Sequence, residues 1–171
     1  SIVLSPANFG IESAVTRDAT LGGWFKYTDA SLFGNGMQTT AQNVAPAKLS
    51  FNIPQDGGYR IYARVRDLND AGSRRFTVKI DGYSEEVAYT KPASLGSTLT
   101  WYWDSIPRSG AALPLTAGWH TLELSSPYVS HCKLDGIVIV KDGTAFDTNI
   151  SAATLAAMTD TVAPSFSAGA V

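Results

Sequence analysis

The chain has 171 residues, enough for one domain with some length to spare. Hydrophobic residues make up 44% and charged residues only 16%, below the roughly 25% usual for globular domains, as suits a β-protein with uncharged polar loops. A net charge of −2 with no basic run argues against nucleic acid as a partner, and no apolar run approaches a membrane span, so no membrane partner is expected.

In chain order, residues 1–9 (SIVLSPANF) begin as a strand that Pro6 halts. Residues 10–23 are polar and irregular and end in Gly22-Gly23. The next stretch, WFKYTDASLFGNG, sets Trp24, Phe25, Tyr27 and Phe33 among turn-formers. These aromatics either pack beneath a long loop or stack on a ligand. Residues 47–53 (AKLSFNI) alternate through Leu49, Phe51 and Ile53, and residues 54–58 turn the chain.

The organising stretch is 57–80, GGYRIYARVRDLNDAGSRRFTVKI. Tyr59, Ile61, Ala63 and Val65 alternate with Arg60, Tyr62, Arg64 and Arg66. Phe76, Val78 and Ile80 alternate with Thr77 and Lys79. Period-two alternation of this length marks strands with one buried face. The polar segment between them cannot easily continue either strand, so the expectation is an antiparallel pair joined by a loop.

Asp81-Gly82 is a strong turn signal. Further strands are expected at 85–89, 98–106, within 107–118, at 119–126 and at 134–142. In 98–106, Trp101 and Trp103 share one face and Tyr102 takes the other; in 119–126, Leu122 and Leu124 point inward. Eight to ten short strands with turns between them, and no sustained helical period before residue 150, predict an all-β antiparallel sandwich of jelly-roll type. Residues 1–148 form this module. Residues 149–171 read as a short helix and linker toward a following module.

Cys132 is the single cysteine, so there is no internal disulfide and no cysteine zinc cluster. It reads as a small buried residue. A nucleophilic role with His131 is poorly placed, since neighbours on a strand point to opposite faces.

Several segments together resemble the galactose-binding-like jelly rolls of carbohydrate-binding module families six and thirty-five: GGYRIYARVRD, FTVKIDG, LPLTAGWHTLEL and KLDGIVIVKD. The chain is still more similar to the golvesin C-terminal-like, or xanthan-lyase-associated, domains attached to secreted polysaccharide lyases. The residues that carry this are Gly22-Gly23-Trp24, Tyr59-Arg60, Arg64 through Asp67, Trp101 with Trp103, the Ala117-Gly118 turn with His120, and Cys132 with Asp135. The likeness spans residues 1–145 and implies a secreted or cell-surface accessory module and not an enzyme. Its partners would be a polysaccharide and the catalytic module of the same parent chain. The chain starts at Ser1 without Met, as an excised or processed fragment does. A monomer is expected.

The carbohydrate-binding families hold a structural calcium between an acidic opening segment and an Asp of the last strand. Here Ser5 and Ala7 stand in place of those carboxylates. Calcium wants six to eight oxygens. A metal is therefore disfavoured, no cofactor is expected, and Asp135 reads instead as a buried hydrogen-bonded acid.

For catalysis, Asp67, Asp70, Asp104 and Glu123 are carboxylates that nothing in the sequence pairs across a cleft. Of the two histidines, His120 sits at a turn-to-strand position that suggests a structural role. No serine-hydrolase elbow, zinc-protease or phosphate-loop motif is present. A sugar-binding module needs exposed aromatics and planar polar side chains, with Arg to pair a carboxylate or sulfate bidentately. The resemblance places binding at the loop tips of one end, which nominates Arg66, Asp67, Asn69, Arg74, Trp101, Tyr128 and His131. Arg64 and Arg66 share a face and either belong to this site or pair with buried acids. With Ser73-Arg74-Arg75 closing the loop, the cations point to an acidic, uronate or sulfated, polysaccharide. The alternatives are a structural spacer that binds no glycan, and a protein-binding or adhesion surface built from the same loops.

Overall fold

The computed structural model describes residues 2–4, 24–27, 36–39, 46–67, 76–81, 83–87, 101–107, 109–125, 132–151 and 153–154. The strands among them are β1 (Ile2–Leu4), β2 (Trp24–Tyr27), β3 (Gly36–Thr39), β4 (Ala47–Ile53), β5 (Gly57–Asp67) and β6 (Phe76–Ile80). They continue with β7 (Tyr83–Val87), β8 (Tyr102–Ile106), β9 (Leu113–Leu115), β10 (Gly118–Ser125) and β11 (Cys132–Lys141). They form two antiparallel sheets. The larger runs β2-β3-β11-β5-β8, with β1 also paired to β11 and β9 to β5; the smaller runs β4-β10-β6-β7. The chain is an antiparallel β-sandwich of jelly-roll type.

The alternation read in the sequence decides which side chains fill the space between the sheets. Tyr59, Ile61, Ala63 and Val65 of β5 meet Phe51 and Ile53 of β4, Val78 and Ile80 of β6, and Leu122 and Leu124 of β10 in one buried cluster. Burying a side chain of this size stabilises by about 1.5–3 kcal/mol. This cluster is what offsets the conformational entropy of ordering so many short strands.

One expectation is corrected. β5 and β6 are not an antiparallel pair: β5 is bonded to β11, β8 and β9, and β6 to β10 and β7, in the other sheet. Alternation identifies the buried face of a strand but not the neighbour that supplies its hydrogen bonds. A connection of eight residues can cross the roughly 10 Å between stacked sheets. Arg64 and Arg66 are therefore not on a strand adjacent to the one entered from Arg75.

Two short strands went unread in the sequence, β2 and β3, which pair with each other and bring Trp24 wholly into the sandwich core. Trp24 is therefore a core side chain and not a ligand platform. β6 and β7 form a hairpin in which Ile80 pairs with Tyr83, and Asp81, just after β6, has φ 51°. A positive φ at this position is what a two-residue hairpin loop asks for and what Asp tolerates.

On β11 the register against β5 shifts between Leu134 and Gly136. Asp135 is the extra residue of a β-bulge. The bulge explains how Leu134 and Ile137, three residues apart, both point into the same core. The outer face of the large sheet carries a second apolar cluster. Val138, Val140 and Ile150 are buried there, with Tyr62, Trp103 and Phe146 packed against them. The Phe146 ring stacks on Tyr62 at 4.6 Å and meets Trp103 edge-on at 4.9 Å. The segment after β11 thus folds back over the sheet as far as Ile150, past residue 148. Nearby, Arg60 Nε donates to Asp142 Oδ1 at 2.8 Å, and that hydrogen bond is the main cause of a raised Arg60 pKa.

Candidate functional site

The bulge at Asp135 organises the outer face of the large sheet near the end where β5 finishes and β11 starts. Arg64 and Arg66 leave β5 on the side opposite Ala63 and Val65. Lys133 stands directly across from Arg66, and Gly136 and Trp103 across from Arg64. By extra length, the bulge delivers the Asp135 carboxylate to Arg64. Arg64 Nη1 donates to Asp135 Oδ2 at 2.5 Å. Asp135 is buried, 3% exposed, which bears out the reading of it as a buried hydrogen-bonded acid. The Arg64 guanidinium carbon also sits 5.5 Å from the centre of the Trp101 ring, a cation–π distance.

Trp101 is 8% exposed and lies outside the main core cluster. One of its faces is occupied by Arg64, which makes the pair a fixed platform: indole, guanidinium and carboxylate in sequence. Lys133 and Gln38 are also buried, and Arg66 is half-buried. Three cations, Arg64, Arg66 and Lys133, thus share this outer face with the carboxylate of Asp135.

Of the nominated residues, Arg66 and Trp101 fall at this end of the large sheet. Asp67 ends β5 opposite Cys132, with its side chain outside the described residues, as is that of Cys132. Asn69, Arg74, Tyr128 and His131 lie outside the described residues, as do Ser5 and Ala7. Sequence reading missed Lys133 and Gln38. Lys133 could have been found from the parity of β11, because it precedes the inward Leu134 by one residue.

Of the residues that the resemblance would set at a calcium ion, Ser5, Ala7 and Asp135, only Asp135 is described. The Asp135 carboxylate is engaged by Arg64, and among the described residues no group of three His, Cys, Asp or Glu comes together. His120 is equally committed to structure. Its Nε2 donates to the Thr116 carbonyl at 2.7 Å, its Nδ1 meets an Asp81 carboxylate oxygen, and its ring stacks on Phe51. Asp81 Oδ1 also accepts from the Thr121 N–H. His120 thus ties the β6–β7 hairpin to the turn before β10.

A scan against protein-family models gave no match, and neither did a search of curated proteins. Among solved structures, the chain is similar to the carbohydrate-binding module CBM6cm-2 from Cellvibrio mixtus lichenase 5A, solved in complex with cellotriose. The TM-score is 0.51 at 21% identity, over 81% of this chain and 95% of that one. It is similar to the C-terminal CBM6 of LamC from Zobellia galactanivorans, with a TM-score of 0.52 at 19% identity over 82% and 98% of the two chains. A family 35 carbohydrate-binding module from Clostridium thermocellum gives a TM-score of 0.50 at 14% identity, over 70% and 88%. At these identities the likeness establishes the fold, the jelly-roll sandwich described above.

Proposed function

We propose that this chain is a non-catalytic glycan-binding module, carried by a secreted polysaccharide-degrading enzyme, that prefers an acidic polysaccharide. The observation that carries this reading is the outer-face group of Arg64, paired with Asp135 and set over Trp101, with Arg66 and Lys133 opposite each other on the neighbouring strands. Arg64 is held by Asp135 and Trp101 as a framework. In this reading Arg66, half-buried on β5, meets the ligand together with the residues nominated from the sequence, Asp67, Asn69, Arg74, Tyr128 and His131. The guanidinium fork matches a uronate carboxylate or a sulfate ester bidentately. A net charge of −2 does not oppose this, because local clusters set the field at a site.

The solved modules of the same fold that are named for carbohydrate binding, one of them holding cellotriose, support glycan binding as the general class. The resemblance to xanthan-lyase-associated domains read in the sequence would imply a parent enzyme acting on an acidic polymer. In that parent, the residues beyond Ile150 lead toward a following module. The module raises the effective concentration of its catalytic partner at the substrate. Gel retardation on acidic and neutral polysaccharides tests the reading, with circular dichroism to verify the fold. Retention by a polyuronate or sulfated polysaccharide supports it. A folded chain that no polysaccharide retains is a spacer.

A further inference from the structure

The segment after β11 is fixed at both ends. At its start the Asp142 N–H donates to the Gly58 carbonyl at 2.8 Å, and Asp142 Oδ1 accepts from Arg60 Nε at 2.8 Å. At its end the Ile150 N–H donates to the Asp147 carbonyl at 3.2 Å, and the Ile150 side chain is buried with Val138 and Val140. Between these anchors Phe146 lies on the outer face of the larger sheet. Its ring stacks on Tyr62 with 26° between the planes and meets Trp103 edge-on at 82°. Rings in these two arrangements attract each other beyond the area they bury.

What stands beside these rings gives the contact its consequence. Tyr62 and Arg64 are alternate residues of β5 and share its outer face. Trp103 stands directly across from Arg64, and directly opposed side chains are about 4.5–5.5 Å apart at Cβ. The Arg64 guanidinium is held from two sides, by the Asp135 carboxylate on the β11 bulge and by the Trp101 ring, which leads into β8. β11 lies inside the sheet, between β3 and β5, whereas β8 ends the sheet and is bonded to β5 alone among the described strands. A strand with one neighbour is held less by its ladder, so the side chains packed on its face decide how it lies. Phe146 packs on that strand through Trp103, two residues after Trp101, and on β5 through Tyr62. We infer that Phe146 is a positioning residue for the outer-face site: it fixes Trp103 and the start of β8, and so the Trp101 ring on which the Arg64 guanidinium rests. The inference depends on the reading of that face as a site for an acidic glycan, and adds that the chain leaving the module is part of the site's scaffold. A platform of Arg64 and Trp101 already in place leaves less to be ordered when a ligand reaches Arg66.

The test compares the wild-type chain with Phe146→Ala, Phe146→Leu, Phe146→Tyr and, as a variant destabilised in the other sheet, His120→Ala. Two quantities are read. One is the pair of NMR resonances from the Arg64 Nε–H and the Trp101 indole N–H, assigned with Arg64→Lys and Trp101→Phe. The other is retention on an immobilised polyuronate and on a sulfated polysaccharide at low salt. Phe146→Ala and Phe146→Leu are expected to move both resonances and to weaken retention about two- to tenfold, the cost of having one long side chain to order on binding. Phe146→Tyr, which keeps the ring, should restore both, and His120→Ala should leave both unchanged. Phe146→Leu keeps an apolar cover over Val138 and Val140, so it reports even where Phe146→Ala fails to fold. Wild-type retention that neither variant weakens, or resonances that neither moves, overturns the inference and leaves the glycan reading standing. So does an equal loss in His120→Ala, since the effect is then general destabilisation. Folded wild-type chain that neither matrix retains overturns the glycan reading and this inference together, which keeps the two failures apart.

Discussion

Arg64 and Asp135 form a buried ion pair on the outer face of the larger sheet, with side chains 13% and 1% exposed and 2.5 Å between Nη1 and Oδ2. The pair exists because the bulge at Asp135 brings an extra residue of β11 opposite Arg64. Removing one partner of a buried pair leaves the other charge uncompensated, which costs about 3–5 kcal/mol. Asp135→Ala is expected to destabilise the chain by that amount in urea unfolding. Replacing both residues by apolar ones of similar size should cost much less. A loss below 1 kcal/mol in the single variant would show that Asp135 does not hold Arg64.

His120 is a structural residue, and its replacement should separate stability from binding. His120→Ala removes the bonds to Asp81 and Thr116 and the stack on Phe51. Loss of a buried hydrogen-bonded ring of this kind costs about 2–3 kcal/mol. Polysaccharide retention of the folded fraction should stay the same. A stable variant that has lost retention would place His120 in a site instead.

At Gly58 the segment leading into β9 leaves no room for a side chain on β5. A Cβ at Gly58 would come within 2.9 Å of the Ala112 Cβ, and neither atom is the end of a flexible chain. Gly58→Ala is therefore expected to push the β9 strand off β5 and destabilise by about 1–3 kcal/mol. Gly57→Ala, whose nearest contact is a lysine methylene at 3.5 Å, should be milder. Thermal unfolding of the two variants side by side checks the order.

Ile150 is the anchor by which the segment after β11 covers Val138 and Val140. Ile150→Ala should cost about 2 kcal/mol, the lower end for a large-to-small change at a buried site. A truncation that keeps Ile150 and ends after Thr154 is expected to preserve both folding and binding, because the residues beyond read as a linker. A large stability loss in that truncation would assign the 155–171 segment to the fold.

Calcium is expected to play no part. The Arg64–Asp135 pair occupies the carboxylate that the resemblance would give to a metal. A chelator should leave the melting temperature unchanged, whereas a bound ion at a hundred times its dissociation constant would contribute about 2.7 kcal/mol. A drop of several degrees would show that the residues before Trp24 supply ligands after all.

The sequence was most legible where one face is buried. Tyr59 through Val65 alternate inward and outward as read, Leu122 and Leu124 point inward as read, and the β4, β5, β9, β10 and β11 segments were visible for that reason. The pairing of β5 was not legible, because the same alternation fits any partner strand. Nor were β2 and β3: Trp24-Phe25 puts two aromatics in succession, and four residues are too few to show a period. The bulge at Asp135 was not legible either: it shifts the parity of β11, so that Leu134 and Ile137, three residues apart, both enter the core. Of the site, the pairing of Arg64 with a buried acid was open in the sequence and is now assigned to Asp135.

The most direct test of the account is retention of the chain on an immobilised polyuronate and on a sulfated polysaccharide, with the wild type, Arg66→Ala and Arg74→Ala compared at low and high salt. The account predicts that the wild type is retained on at least one. It predicts that retention falls as salt screens ion pairs beyond about 10 Å at 0.1 M. Each substitution should weaken binding by about 1.5–3 kcal/mol, the range of a charge-assisted hydrogen bond. Folded protein that passes through both matrices at low salt, or is held equally well without Arg66 and Arg74, would contradict it.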